Sequence, residues 1–174
     1  VIVEKNIGYG NGIMEGVYRS TSKYISWCHA DLQTPPQYVC DAFEKNFDKL
    51  ENEKIIIKGK RLNRDIFDQI FTFGMSIIAS LIFGKKLTDI NAQPKIFSKN
   101  FLSFFKNPPN DFSLDIYLMV VAIQNHYKII EYPVRWDERV AGEAKGGGSI
   151  KAKLRLIIQT LKCIIALKKK FKTS

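Results

Sequence analysis

The 174-residue sequence lacks the motifs of several common functional sites. Its three cysteines, Cys28, Cys40 and Cys163, form no C-x-x-C pair, which argues against a zinc knuckle or a redox pair and fits a reducing cytoplasm. With only two histidines and no G-x-S-x-G motif, a serine hydrolase triad has no support. Neither G-x-x-x-x-G-K-[ST] nor G-x-G-x-x-G occurs, so the usual phosphate-binding and dinucleotide-binding loops are absent.

Acidic residues are missing from the last 24 positions, 151–174, which carry eight lysines and arginines. The rest of the chain holds 19 basic and 17 acidic residues, so the body is near neutral although the net charge is +10. A basic segment on a neutral body predicts a localised anionic partner. Phe171 is the only aromatic residue of this segment, whereas nucleic-acid-binding surfaces interleave aromatics with basic residues, so no nucleic-acid partner is expected.

No long uninterrupted apolar run occurs in this basic segment. Residues 150–167 instead follow helical i, i+3, i+4 spacing, with the apolar positions Ile150, Leu154, Ile157, Ile158, Leu161, Ile164 and Ile165. Lys151, Arg155 and Lys162 lie on the opposite side, and charges within the run make it too short to cross a bilayer. Two interpretations stay open: a helix packed on the domain, which is the slightly favoured default, or one lying in an anionic membrane surface.

The hydrophobic pattern predicts an α/β domain over residues 1–149 and a basic amphipathic helix over 150–174. Expected strands are 1–3, 24–28, 55–57 and 128–134, and expected helices are 13–22, 35–50, 65–83 and 114–125. This alternation predicts a mostly parallel sheet flanked by helices, with ligands beyond the carboxyl ends of the strands. Segments 29–33 and 58–64, the latter expected as a basic loop, follow such ends. The very apolar helix 65–83 is expected in the core, or else as part of a seat for a lipid acceptor.

Three polar side chains alternate directly after the second predicted strand, at His29, Asp31 and Gln33. In an extended turn, imidazole, carboxylate and amide oxygen can converge on a divalent cation such as Mg²⁺ or Mn²⁺. Such an ion would neutralise a diphosphate leaving group. The alternative is that Asp31 caps the following helix, and spacing alone slightly favours this alternative.

Five segments in order resemble family 2 glycosyltransferases of the GT-A type, in particular polyprenyl-phosphate sugar transferases. Residues 29–36 are similar to the family's D-A-D-L-Q-x-P-P metal motif, with His29 in place of the first aspartate. The turn 6–12 and the following Glu15-Gly16 resemble the family's N-x-G-x-G-x-A…G turn and helix. Residues 89–97, 111–115 and 127–134 resemble an Asp-containing segment before K-x-F, an acidic helix start, and the G-Y-x-I-x-E-x-P-V strand. The resemblance covers roughly residues 1–145.

The resemblance implies a Rossmann-like GT-A fold that lacks its opening strands, since the chain begins with Val1-Ile2-Val3. It implies roles for eleven residues. These are metal binding by Asp31, His29 and Gln33; general base catalysis by Asp89 or Asp115; phosphate or acceptor binding by Arg61, Arg64 and Arg139; and a donor-side turn with Asn6, Gly8 and Gly10. Because histidine lacks the charge of aspartate, the departure at His29 bears directly on metal affinity. Each arginine alone is more readily a solvated surface charge, although Arg61 ranks above the other two because Lys58-Gly59-Lys60-Arg61 stands in the place of the family's G-S-R. Asp115 is as readily a carboxylate at a helix N-terminus.

The expected function is inverting transfer of a sugar from a nucleoside diphosphate sugar to a polyprenyl phosphate or a cell-surface glycan, assisted by a divalent cation. The basic helix predicts peripheral contact with the cytoplasmic face of a membrane. A non-catalytic membrane-surface or partner-binding module on the same fold is the alternative, motivated by His29 and the missing strands. A nucleic-acid binder acting through residues 150–174 is a third and weaker alternative.

Overall fold

The computed structural model describes residues 2–63, 66–137 and 150–172. Helices and strands alternate along most of the chain. The helices are α1 (Tyr9–Arg19), α2 (Gln37–Lys45), α3 (Phe47–Asn52), α4 (Ile66–Phe83), α5 (Leu114–Gln124) and α6 (Ile150–Lys172), with a 3₁₀ helix over Lys99–Phe104. The strands are β1 (Tyr24–Trp27), β2 (Ile55–Leu62), β3 (Lys95–Ser98) and β4 (Lys128–Arg135). The chain is thus of mixed α/β class, as expected.

The four strands form one mixed sheet in the order β1-β3-β2-β4, which corrects the predicted mostly parallel sheet. β3 lies between β1 and β2 and runs antiparallel to both, while β2 and β4 pair in parallel. The sequence pattern missed β3 because the strand has only four residues and begins with a lysine directly after a proline. β1, β2 and β4 nevertheless point the same way, so their carboxyl ends share one edge of the sheet.

Four other boundaries differ from the prediction. α1 begins at Tyr9, inside the expected glycine-rich turn 6–12, and not at Ile13. Ile2 and Val3 are exposed and form no strand, since no described strand lies beside them to take up their backbone hydrogen bonds. The expected basic loop begins only after Leu62, because β2 stays paired with β4 over eight residues. The single helix expected over 35–50 is divided at Asn46, whose side-chain amide donates to the Ala42 carbonyl at 2.9 Å.

Helices cover both faces of the sheet because its side chains alternate with period two. Ile56 of β2 faces a core built with α1, α5 and α6, whereas Ile55 and Ile57 face α2 and α3 on the other side. α5 is buried on all sides from Leu114 to Ala122. It carries the polar residue Asp115 into that core, which becomes important for the site.

α6 packs against α4 and α5. Ile164 is completely buried in the core and Leu167 nearly so, while Leu154, Ile158 and Ile165 are about half exposed. The packing interpretation therefore describes one face of this helix, and contact with a membrane stays a prediction for the other. None of the helices among the described residues combines the length and apolar character that crossing a membrane requires.

Candidate functional site

The candidate site lies at the sheet edge where β1, β2 and β4 end. Because β3 is antiparallel to its neighbours, its first residue lies at this same edge, with Lys95 opposite both Trp27 and Lys58. The loop 89–94, which leads into β3, therefore meets the segments that follow the other three strands. This arrangement explains how residues far apart in the sequence become neighbours.

The segment 29–33 after β1 is fixed by local and long-range contacts. Asp31 accepts a hydrogen bond from the Gln33 backbone N–H at 3.3 Å. The Gln33 carbonyl accepts from the Asp137 N–H at 2.8 Å, and the Gln33 amide donates to the Asp137 carbonyl at 3.3 Å. Leu32 between them has φ +60°, a left-handed conformation that is uncommon for a leucine and costs about 1–2 kcal/mol. The ends of β1 and β4 are thereby tied together.

His29 points its imidazole toward the interior of the site. Its ring lies edge-on to Trp136, with ring centroids 5.6 Å apart. Burial lowers the pKa of His29, although the carboxylates of Asp31 and Asp115 act in the opposite direction. The Nε2 atom is buried and has no hydrogen-bond partner. A neutral imidazole with an uncommitted nitrogen is the form that binds a metal ion.

Arg61, near the end of β2, and Asp89 form the closest ion pair of the site. The carboxylate accepts from the Arg61 backbone N–H at 2.8 Å, from Nε at 2.9 Å, and from Nη2. Burial alone would raise the pKa of Asp89, but the Arg61 guanidinium holds this pKa below its usual range. The guanidinium also lies over the Trp136 ring, 4.8 Å from its centroid. Asp89 is therefore ionised, and Trp136 links Arg61 to His29.

A second ion cluster lies beside this pair, on β2 and β4. Lys58 is buried, with Nζ 3.1 Å from Glu131, and Lys60 reaches the other carboxylate oxygen at 3.2 Å. Thr88 donates a hydrogen bond to Glu131. Burial and the nearby Lys95 ammonium lower the pKa of Lys58 to about 8. The cluster keeps positive charge next to the Arg61–Asp89 pair.

Asp115 lies in a third, deeper cluster. One of its oxygens is 3.3 Å from Lys95 Nζ, and the other accepts from the Tyr9 hydroxyl at 3.1 Å. The Gln93 amide donates to the same hydroxyl. Burial and the Asp115 carboxylate raise the pKa of Tyr9, so the phenol stays protonated and acts as a donor. Asp115 is 1% exposed, which separates it from Asp89 at the edge.

The glycine turn packs against the loop that precedes α5. Gly8 has φ +147°, and a Cβ there would lie 2.2 Å from the Asn110 carbonyl oxygen. A Cβ on Gly10 would lie 2.2 Å from the Pro109 carbonyl oxygen, so both positions require glycine. Asn6 accepts from the Gly8 N–H at 3.2 Å and is exposed. These close backbone contacts place the Tyr9 side chain next to Asp115.

The structure thus brings together six of the predicted site residues. His29, Asp31, Gln33, Arg61 and Asp89 lie at the edge, and Asp115 lies buried behind it. Arg64 and Arg139 lie outside the described residues. The participants that the sequence analysis did not name as site residues include Tyr9, Lys58, Gln93, Lys95, Glu131 and Trp136. Trp136, just past a predicted strand end, was an available signal, whereas Lys95 gave none because β3 was not predicted.

The residues present fit a divalent cation only in part. Within residues 2–63, 66–137 and 150–172, no three His, Cys, Asp or Glu side chains lie close enough to hold a metal ion. His29 Nε2 and the Asp31 carboxylate are two suitable ligand groups, and Gln33 is held through its Nε2, which donates to the Asp137 carbonyl. Magnesium commonly takes only one or two protein ligands and completes its shell with substrate phosphates and water. A cation bound by His29 and Asp31 would therefore need further ligands from substrate or water.

No model of a known protein family matches the chain. The site combines an ionised carboxylate, several fixed cations, a neutral imidazole and an aromatic ring at one sheet edge. Fixed cations bind phosphate groups, and an edge carboxylate can accept a proton from a hydroxyl.

Proposed function

We propose that the chain is the catalytic part of an inverting family 2 glycosyltransferase of the GT-A type. It would transfer a sugar from a nucleoside diphosphate sugar to a polyprenyl phosphate or a cell-surface glycan. The observation that carries the proposal is the meeting of the segments 29–33, 58–61 and 89–93 with Trp136 at one sheet edge. Segments 29–33 and 89–93 belong to those that resemble the family's metal motif and Asp-containing segment, and residues 58–61 stand in the place of the family's G-S-R. The five segments in family order support the same assignment.

In this proposal Asp31 and His29 hold the cation, with Gln33 fixing the loop that carries them. A bound Mg²⁺ or Mn²⁺ would neutralise the developing charge of the diphosphate leaving group. Arg61 binds the phosphate of the acceptor or donor, because a guanidinium matches phosphate geometry and its plane is fixed by Trp136 and Asp89. Arg64 and Arg139 are proposed to assist. The glycine turn with Asn6, Gly8 and Gly10 would lie on the donor side.

Asp89 is the proposed general base when the acceptor is a hydroxyl. It lies at the edge, is ionised, and faces Arg61 rather than the apolar core. When the acceptor is a phosphate, which is already anionic, no base is needed and charge neutralisation by Arg61 and the exposed Lys60 suffices. Asp115 was predicted as the other candidate for the base, and its burial beside Lys95 argues for a different role, developed below.

We further propose that the protein works at the cytoplasmic face of a membrane. The support is the basic face of α6 together with its exposed apolar residues Leu154, Ile158 and Ile165. A polyprenyl phosphate is itself held in the membrane, so a catalytic edge near the surface suits this acceptor.

A non-catalytic module on the same fold is the second candidate. The observation that favours it is that both proposed carboxylates already contact cations, Asp89 with Arg61 and Asp115 with Lys95. In a binding module such pairs would be permanent. In an enzyme, a substrate phosphate would compete with Asp89 for Arg61.

The deciding experiment measures release of nucleoside diphosphate from UDP- and GDP-sugars with and without Mn²⁺. We expect metal-dependent release that Asp31→Asn abolishes. Asp48→Asn is the matched control, since Asp48 is an exposed carboxylate on α3, before β2 and away from the carboxyl edge. Isothermal titration of the same nucleotide sugars separates the two candidates. Absence of both turnover and metal-enhanced binding would reject the enzyme and leave the non-catalytic module.

A further inference from the structure

A lysine is buried behind the candidate site, with its ammonium group among protein oxygens. Lys95 is 0% exposed, and its Nζ donates to the Ile90 carbonyl at 2.8 Å and to the Ala92 carbonyl at 2.6 Å. Asp115 Oδ1 lies 3.3 Å from Nζ as an ion-pair contact, without a hydrogen bond of its own. Both carbonyl acceptors belong to the loop 89–94. The lysine therefore holds the backbone of the loop that carries Asp89.

Asp115 and Tyr9 extend this network to two other elements. Asp115 lies in the first turn of α5, and its second oxygen accepts from Tyr9, which begins α1. Tyr9 in turn accepts from the Gln93 side chain. A path of polar contacts thus runs from the loop backbone through Lys95, Asp115 and Tyr9 and returns to the loop at Gln93. Both Asp115 oxygens face protein groups, so a substrate hydroxyl has no approach to this carboxylate.

The position of Lys95 in the sheet makes this network unfavourable for the stability of the fold. Lys95 lies directly opposite Lys58 in the antiparallel pair of β2 and β3, and like charges in such positions repel. Each lysine has its own carboxylate, Glu131 for Lys58 and Asp115 for Lys95. Burying an ion pair is a poor way to gain stability, because well-packed apolar residues of similar volume are often equal or better. The arrangement is better explained by its effect on the position of the loop 89–94.

We infer that Lys95, Asp115 and Tyr9 form a positioning network, defined by these three residues, which holds the loop 89–94 at the site. Asp115 belongs to this network and is not the general base. The inference rests on the proposed function only where it concerns the base, since the holding of the loop is independent of catalysis. The loop also closes on β2, where the Gly59 N–H donates to the Pro94 carbonyl at 2.8 Å. Loss of the network would therefore loosen the loop between two fixed ends.

The mild test is Tyr9→Phe, with Tyr117→Phe as its matched control. Tyr117 also has a hydroxyl bonded within the fold, to the Lys106 backbone, but it does not contact the network. Hydrogen exchange followed by mass spectrometry reports the amides of residues 90–93. We expect Tyr9→Phe to speed their exchange by about tenfold, as loss of a buried hydrogen bond allows, with the amides of β2 and β4 unchanged. Equal exchange in the two variants would overturn the inference.

A stronger test compares Lys95→Met, Asp115→Asn and the double variant. Each single change leaves one buried group without its partner, so both lower the melting temperature. The double variant removes both charges, and we expect it to recover much of the melting temperature while the loop amides still exchange fast. Recovery of loop protection together with stability would show a purely structural ion pair and overturn the inference.

Activity then decides the role of Asp115. If the chain transfers sugar, Tyr9→Phe and Lys95→Met are expected to lower kcat with donor KM nearly unchanged, as Asp115→Asn does. Loss of activity in Asp115→Asn alone, with Tyr9→Phe and Lys95→Met fully active, would identify Asp115 as the base and overturn its assignment to the network. If the wild type transfers no sugar, the proposed function fails, while the exchange measurements still decide the network.

Discussion

Single residues at the site are constrained by neighbours that are remote in the sequence. Gly59 in β2 is the clearest case, because a Cβ at this position would lie 2.1 Å from the Gln93 carbonyl oxygen. The obstacle is backbone, which cannot move aside as a flexible side chain would. A glycine in the middle of a strand otherwise weakens it, so its presence here indicates close approach of two backbones.

Gly59→Ala is expected to lower the free energy of unfolding by about 1–3 kcal/mol or more, as overpacking does. Denaturant-induced unfolding measures this change. Gly16→Ala in α1 is the control, since a Cβ there meets nothing within 4 Å. Because alanine favours helix, this control should gain about 0.5–1 kcal/mol. Equal effects of the two substitutions would contradict the close packing of β2 on the loop.

The buried ammonium of Lys58 makes stability depend on pH. In the folded chain its pKa is lowered to about 8, whereas an unfolded lysine has a pKa of 10.5. Between these values the unfolded state binds more protons, so stability rises with pH. Between about pH 8 and pH 9.5 the free energy of unfolding is expected to increase by roughly 2 kcal/mol from this group alone.

Lys58→Met should remove this part of the increase in the free energy of unfolding. The measurement is urea unfolding across the same pH range. Comparing variants is necessary because burial also lowers the pKa of Lys95, which acts in the same direction. Lys49→Met, at an exposed lysine, should keep the wild-type slope. Identical slopes for wild type and Lys58→Met would show that Lys58 is not buried as a charged group.

At the scale of elements, helix existence was predicted well and exact pairing was not. The α-helices were expected within a few residues except for the division at Asn46, because their hydrophobic periodicity is local, whereas the 3₁₀ helix Lys99–Phe104 was not predicted. β3 and the full length of β2 were missed, because a strand is defined by a partner that the local pattern does not contain. The edge that carries the site depends on β3, so its composition could not be derived from local pattern.

α6 allows a direct test of its packing. Ile164 is completely buried against the core, while the adjacent Ile165 is 51% exposed. Ile164→Ala is expected to cost about 2–5 kcal/mol, the range for large-to-small changes in a core. Ile165→Ala should cost less than about 1 kcal/mol, since its exposed part loses little burial. Equal losses in thermal or denaturant unfolding would show that α6 does not use this face.

At the scale of the whole molecule, charge is distributed in a strongly uneven way. The basic residues of 151–172 lie on a helix that also exposes Leu154, Ile158 and Ile165. The remaining body is close to neutral. A molecule of this kind should orient toward an anionic surface with α6 leading.

Vesicle sedimentation tests this orientation. The chain should bind vesicles of phosphatidylglycerol and phosphatidylcholine but not of phosphatidylcholine alone, and added salt should weaken the binding. Replacing the exposed Lys162 and Lys168 by Gln should weaken binding by about tenfold or more, at about 1 kcal/mol per basic residue. Lys49→Gln with Lys54→Gln, also exposed, is the charge-matched control. Equal losses would indicate a nonspecific response to net charge.

The sequence by itself determined the α/β class, the approximate extents of the α-helices and the basic character of α6, and it proposed the candidate residues. Periodicity, charge and short motifs are local properties, and they can be recognised in the sequence without knowing which residues are in contact. Only the tertiary structure decided that the sheet is mixed, that Asp89 pairs with Arg61, and that Asp115 is enclosed by Lys95 and Tyr9. These facts depend on strand order and on contacts between side chains at least twenty residues apart, and no local pattern identifies which distant group neutralises a given charge.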